Sequence, residues 1–172
     1  MIAKLISGGQ TGADLGGLLA GRDLGIPTGG WAPRGWRTDA GPAPWLADFG
    51  LVEHESGGYP PRTEANARDS DCTVIFGRDD SPGCRLTRRL CERYGRLVLY
   101  IPWPMNFVPV LDRMRVGDQL ARTFRAWLDQ ARGSLWPGEP NRLLVLNVAG
   151  NRERINPGIQ EAVRGFLTAA LR

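Results

Sequence analysis

Histidine and lysine are almost missing from this chain of 172 residues. His54 is the only histidine, which excludes a histidine-rich metal site and leaves a Ser-His-Asp arrangement a single candidate, placed at the end of the short apolar run Leu51-Val52-Glu53. Its simpler reading is an exposed residue at a strand end. Lys4 is the sole lysine, so there is none for a P-loop and none well placed for a Schiff base. Cysteine is scarce as well: Cys72, Cys84 and Cys91 lack the close pairs of a zinc site and the even number of a disulfide framework. They read as reduced, buried thiols, with Cys84 and Cys91 spaced to share one helix face. No apolar run is long enough to cross a bilayer. The stretch Met1 to Ile6 lacks the basic region and cleavage site of a signal peptide and reads as a strand, which makes the cytoplasm the expected compartment.

The net charge of +4 and a pI near 9.4 would suit nucleic acid. The arginines, however, are dispersed among acids with no basic run, so nucleic acid is not the expected partner. Arginine's planar fork equally suits a phosphate. A composition of 42% hydrophobic and 23% charged residues describes a globular chain whose length fits one domain, residues 1–172.

What is present is an alternation. Runs that are apolar throughout occur at Ile2 to Ile6, Cys72 to Phe76, Leu97 to Ile101 and Leu143 to Val148, with a weaker one at Leu51-Val52. Strands without polar alternation are covered on both faces, as in a parallel sheet. Between them lie helical stripes: Leu120, Phe124, Trp127, Leu128 and Ala131 within 118–132, then Ile159, Val163, Phe166, Leu167 and Ala170. The pattern predicts an α/β, Rossmann-like, doubly wound and mostly parallel sheet with helices on both faces. The Gly-, Pro- and Trp-rich stretch from Gly25 to Pro61 reads as one long ordered connection. A second irregular stretch, Pro102 to Val116, offers its apolar residues either to a subunit contact or to the domain's own sheet.

Ligands of such sheets bind beyond the carboxyl ends of the strands. The first strand delivers Ser7-Gly8-Gly9-Gln10-Thr11-Gly12-Ala13-Asp14, whose glycines let backbone amides approach a ligand at a helix start. An anion is the natural guest. A helix over roughly 61–69 should begin at the same edge, bringing Arg62 and Thr63 to the site with Asn66 one turn below. Gly83 opens another helix and Thr87 lies one turn into it. The last strand delivers Gly150, Arg152 and Arg154, and Asn156-Pro157-Gly158 reads as a helix cap. Several helix starts and arginines at one crevice favour a phosphate-bearing ligand. Plainer readings stand beside these: Thr11 to Asp14 matches a capping box, Asn156 a simple cap, and Thr87 core packing.

Familiar glycine loops are absent. No Gly-Lys-Ser/Thr completes a P-loop, and Ser7 stands where a dinucleotide fingerprint needs its first glycine.

The order of motifs does resemble a known family. Ser7 to Asp14 is followed by Gly25-Ile26-Pro27-x-Gly29-Gly30-Trp31-x-Pro33-x-Gly35, Arg62-Thr63-x-x-Asn66, Ser70-Asp71-x-Thr73-x-Ile75-Phe76, Leu146 to Gly150 and Asn156 to Ile159. Together these resemble the "putative molybdenum carrier proteins", Rossmann-like relatives of the molybdenum cofactor carriers within a superfamily of phosphoribohydrolases and nucleotide sensors. The resemblance implies a homo-oligomer, a tetramer in form, that binds molybdenum cofactor (molybdopterin) through its phosphate, at residues drawn from Gly8, Gly9, Gln10, Thr11, Gly12, Asp14, Arg62, Thr63, Asn66, Gly83, Thr87, Gly150 and Asn156. The alternative it leaves is a nucleoside monophosphate hydrolase, with Asp14 and Glu64 as carboxylates, or a nucleotide sensor. Against the hydrolase, the Pro-Gly-Gly-x-Gly-Thr-x-x-Glu motif of the phosphoribohydrolases is missing. The chain departs from the carrier pattern at Pro82, at Cys72 and over Asn151-Arg152-Glu153-Arg154.

Overall fold

The computed structural model describes residues 2–78, 80–103 and 113–172, with side chains omitted over 113–116. The chain runs β1 (Ile2–Ile6), α1 (Ala13–Leu24), β2 (Thr28–Ala32), β3 (Arg37–Thr38) and β4 (Gly41–Pro42), then a 3-10 helix (Pro44–Phe49) and β5 (Leu51–Glu53). It continues through α2 (Tyr59–Arg68), β6 (Cys72–Gly77), α3 (Pro82–Arg93), β7 (Leu97–Pro102), α4 (Arg113–Leu135), β8 (Leu144–Gly150) and α5 (Ile159–Ala170). A six-stranded sheet has the order β5-β2-β1-β8-β6-β7, and each of its pairings is parallel. The expected α/β architecture is therefore the observed one. β3 and β4 form a separate antiparallel hairpin.

The unbroken apolar runs have the cause inferred for them. β6 is buried at every position, and its alternate residues serve opposite faces. Val74 joins Leu5, Leu146 and Val148 beneath Ala20, Phe124, Leu128, Val163 and Leu167, the cores of α1, α4 and α5. Ile75 turns to the side occupied by Cys84 and Val98, where Ala67 of α2 packs with Leu90 and Cys91 of α3. The stripe of α5 is buried at Ile159, Val163, Leu167 and Ala170, and Phe166 meets Phe76 and Phe124 edge-on.

The connection over 25–61 is more regular than expected. It contains β2, the β3–β4 hairpin and the 3-10 helix, and its tryptophans find partners. Trp31 donates its indole N–H to Asp69 at 2.8 Å, and Trp36 packs on the cluster of Leu18, Leu46 and Phe49. Trp45 stays 47% exposed. Of the irregular stretch 102–116, Trp103 packs against the main core, while residues 104–112 lie outside the described residues. The cap of α5 also differs from expectation. Gly158 is its N-cap, without a side-chain bond, because the Asn156 amide is directed instead to the Trp103 carbonyl at 2.7 Å.

The position of β8 decides which loops meet at the carboxyl edge of the sheet. Although last in sequence, β8 pairs with β1 on one side and β6 on the other. The segments leaving these strands, 7–12, 150–156 and 77–83, therefore meet at one edge of the sheet. Among the described residues no helix is long and apolar enough to cross a membrane.

Candidate functional site

The loop after β1 is buried from Ser7 to Gln10, and most of its amides are already engaged. Gly9 N–H donates to Ser7 Oγ at 3.2 Å, Gln10 N–H to Asp14 Oδ2 at 3.3 Å and Thr11 N–H to Gln10 Oε1 at 2.9 Å. Ala13 N–H donates to the Asn151 carbonyl at 3.1 Å. Gly12, the N-cap of α1, carries no side-chain cap, so the capping box read from Thr11 and Asp14 does not form. Asp14 turns back into its own loop instead of forward along the helix.

There it meets Arg62, at the start of α2. Arg62 Nη1 lies 3.2 Å from Asp14 Oδ2, with side chains only 12% and 6% exposed. The guanidinium lies on Gly8, where any Cβ would collide with it. Burial pushes the Asp14 carboxyl above the usual carboxylate range, against the opposing pull of Arg62, the Gln10 N–H and Arg152. Two buried donors at this corner, Gln10 Nε2 and Arg62 Nε, have no partner among the described residues, whereas buried N–H groups are nearly always paired.

Besides α2, the helices α1, α3 and α5 start at this edge, and their starts are not equivalent. The first turn of α5 is neutralised by Glu153, whose carboxylate accepts from Gly158 N–H and, at 3.0 Å, from Gln160 N–H. The start of α1 is filled as described. The start of α3 is the least encumbered: Ser81 caps it through the Cys84 N–H, and a Cβ added at Gly83 would meet no described residue within 4 Å. It borders a cavity of about 470 Å³ lined also by Arg78, Asp80, Gly150, Arg152 and Arg154. A helix N-terminus and three guanidiniums lend it positive potential, which Asp80, paired with Arg78 at 2.7 Å, partly offsets. Asn151, buried at the end of β8, braces its wall: its Oδ1 accepts from Arg78 N–H at 2.6 Å and its Nδ2 reaches Ser81 Oγ at 3.2 Å. A second, apolar cavity opens between α4 and α5, lined by Phe76, Ile101, Trp103 and Phe166. Its lack of clustered donors distinguishes it from the first.

The other residues singled out from sequence fall into place around these two features. Asn66 is buried, with both ends of its amide spent on the Trp31 backbone at 2.9 and 3.0 Å; it ties α2 to β2 and lies behind Arg62. Thr63 and Thr87 donate to carbonyls one turn back, those of Tyr59 and Gly83. Glu64 faces α3, where it accepts from Tyr94 OH at 2.6 Å and from Arg93 at 3.2 Å. Asn156 holds the end of β7. Gly150 leaves β8 so close to Phe76 and Ala13 that a side chain has no room. Among the described residues no three His, Cys, Asp or Glu side chains gather as a metal site.

The sequence reading missed Asp39 and Tyr59. Asp39, at the tip of the β3–β4 hairpin, accepts from Arg152 at 2.7 Å and Arg154 at 3.3 Å. The Tyr59 ring lies 4.7 Å from the Arg152 guanidinium and 5.9 Å from that of Arg62. The acid-rich, glycine-bounded turn at 38–41 was the only local signal for Asp39, and nothing in it pointed to partners so far along the chain.

Comparison with known proteins agrees with this geometry. The family model described as "Circularly permutated YpsA SLOG family" matches residues 5–171. No curated protein matches. A crystal structure from Syntrophus aciditrophicus SB, described as a "putative molybdenum carrier protein", superposes with a TM-score of 0.80 at 33% identity, over 99% of this chain and 96% of that one. The chain belongs to the circularly permutated YpsA SLOG family.

Proposed function

We propose that the protein binds a phosphate-bearing ligand beyond the carboxyl ends of β1, β8 and β6 and carries it without turnover, molybdenum cofactor being the first candidate. One observation carries this reading: the cavity joins Arg152, Arg154 and the Arg78–Asp80 pair to the start of α3, and at the loop bonded to Asp39 through Gln10 lie the buried donors Gln10 Nε2 and Arg62 Nε, unpartnered among the described residues. A phosphate matches the guanidiniums and the Gly83 end of the helix. The oxygens and ring nitrogens of a pterin match the orphaned donors. The donor set thus fits molybdopterin as a cargo, held through its organic part, with the metal needing no protein ligand. The name of the Syntrophus relative agrees with such a cargo.

The hydrolase reading needs a free carboxylate near the ligand's reactive bond. Glu64 is committed to Tyr94 and Arg93, and Asp14 is committed to Arg62, which favours carriage. Assembly into a homo-oligomer belongs to the same proposal and is read by light scattering.

The test has two arms. Molybdenum cofactor should raise the melting temperature saturably, as any ligand selective for the native state does, and Arg152→Ala should abolish the shift. Nucleoside monophosphates should release no free base. Rapid base release, or no shift with the cofactor, would overturn the proposal.

A further inference from the structure

The two arginines assigned to the ligand's phosphate already hold an anion from the protein's own chain. Asp39 bridges them, one oxygen to each: Oδ1 to Arg152 Nη1 at 2.7 Å and Oδ2 to Arg154 Nε at 3.3 Å. Its side chain is 14% exposed, less than either arginine, so the carboxylate lies beneath the guanidiniums. The hairpin that carries it is slight, two residues in each strand, and so short a ribbon has little stability of its own. What holds its tip to the body is Asp39, through the two arginines and through its N–H, which donates to Gln10 Oε1 at 2.8 Å.

Gln10 supplies a second, independent sign of a ligand. Its side chain is buried, 4% exposed. Its oxygen is shared between Thr11 and Asp39, while its Nε2 has no acceptor. A buried amide satisfied at one end only is poised for an oxygen that arrives from elsewhere. Removal of Asp39 from its place would free one of the bonds that now fix the amide, at the moment the arginines need a new anion.

Resting on the phosphate reading above, we propose that Asp39 sets the affinity threshold of the site: it is an internal carboxylate that a ligand must displace from Arg152 and Arg154, lifting the β3–β4 hairpin. A monoanion offers the arginines nothing that Asp39 does not, and it competes against a tethered rival at high effective concentration. A phosphate monoester brings close to two charges and three terminal oxygens. The displacement cost is the same for every ligand, so it takes the weaker-binding phosphodiesters and carboxylates below useful affinity while phosphomonoesters still bind.

The experiment uses the full chain with GMP as a phosphomonoester probe and cyclic GMP as its monoanionic diester, titrated calorimetrically at about pH 7.5, where the monoester is mostly dianionic. The wild type should bind GMP measurably and cyclic GMP at least about tenfold more weakly, and Asp39→Asn should bind both more tightly by a similar factor, because the displaced carboxylate costs each ligand the same. In the wild type, saturation with GMP should speed amide hydrogen exchange across residues 37–42, a readout that requires no variant. Weaker or unchanged binding by Asp39→Asn, or protection of 37–42, would overturn the inference and leave the phosphate reading standing. Absence of binding by both proteins would overturn the two together.

Discussion

Arg62 reaches Asp14 across the face of Gly8, Nη1 to Oδ2 at 3.2 Å, so a glycine near the end of β1 and an arginine on α2 share one small volume. Gly8→Ala should therefore push the flexible guanidinium off its partner without breaking the backbone. Asp14 would answer by taking up a proton, and the expected loss is about 1–3 kcal/mol. Gly12→Ala is the harsher change. At φ +89° its Cβ would meet the backbone of 151–153 at 2.5–2.7 Å, and nothing flexible can yield, so a loss above about 3 kcal/mol is expected. Urea denaturation of the two variants measures both, and equal losses would deny the Arg62 explanation.

Gly83→Ala is the opposite case. No described residue lies within 4 Å of the added methyl, and the residue is in the first turn of α3. Stability should stay within about 0.5 kcal/mol of wild type or rise slightly. Affinity for a phosphate monoester should fall if ligand approaches the helix start as proposed. Calorimetry on a variant with an unchanged melting temperature tests this directly.

Asp14 gives stability an unusual pH dependence. Burial raises its folded-state pKa above 3.8, so the folded chain keeps this proton to a higher pH than the unfolded chain. Its contribution is most favourable in acid and is lost as pH rises from 3.8 through the raised value. Asp23, Asp69 and Asp80 run the other way. Arg164, Arg68 and Arg78 lower their pKa values, and whatever these exposed pairs contribute is present above 3.8 and lost as pH falls. Denaturation midpoints of wild type and Asp14→Asn, compared from about pH 4 to pH 8, should show the wild type losing ground to the variant with rising pH. A constant difference would remove Asp14 from the account.

Cys72 should be chemically silent. Burial pushes its thiol from 9.0 up to about 12, and only the thiolate reacts. Iodoacetamide at about pH 8 should leave native Cys72 unmodified, while urea-unfolded chain is labelled. The linkage sign is that stability falls as pH rises above 9.0, because the unfolded thiol ionises first. Mass spectrometry reads the labelling, and prompt modification of the native protein would contradict it.

Asn66→Ala separates structural support from ligand contact. It strips bonds from the Trp31 backbone and should cost about 2–4 kcal/mol. Phosphate affinity per folded molecule should change little. A selective loss of affinity with stability intact would make Asn66 a ligand contact after all.

How much of this was legible depended on how local each signal was. β1, β6, β7 and β8 announce themselves because burial on both faces leaves unbroken apolar runs. β2 does not: Thr28-Gly29-Gly30-Trp31-Ala32 reads as a loop, since Gly30 at φ +121° passes so close to the Ser7 backbone that no side chain fits. The close approach that defines the strand's position erases its pattern. Arg62 was legible from topology alone, as a residue at the start of a helix returning from the right edge. The amides of the Gly8–Gly12 loop were misjudged, because Asp14, Gln10 and Asn151 had to be seen in place before their bonds could be counted. Asp39 was invisible for the same reason: its arginine partners lie more than a hundred residues along the chain.

The place of β8 in the sheet has a consequence for how the protein is made. Until residues 144–150 leave the ribosome, β5-β2-β1 and β6-β7 are two half-sheets with no common edge, each exposing an inner strand meant for burial. The central strand is synthesised after the strands on both sides of it. Folding of the sheet is thereby deferred until residues 144–150 are made and set by a long-range closure, a slow and aggregation-exposed step by its nature. A chain shortened by its final strand and helix loses the keystone of the sheet instead of an appendage.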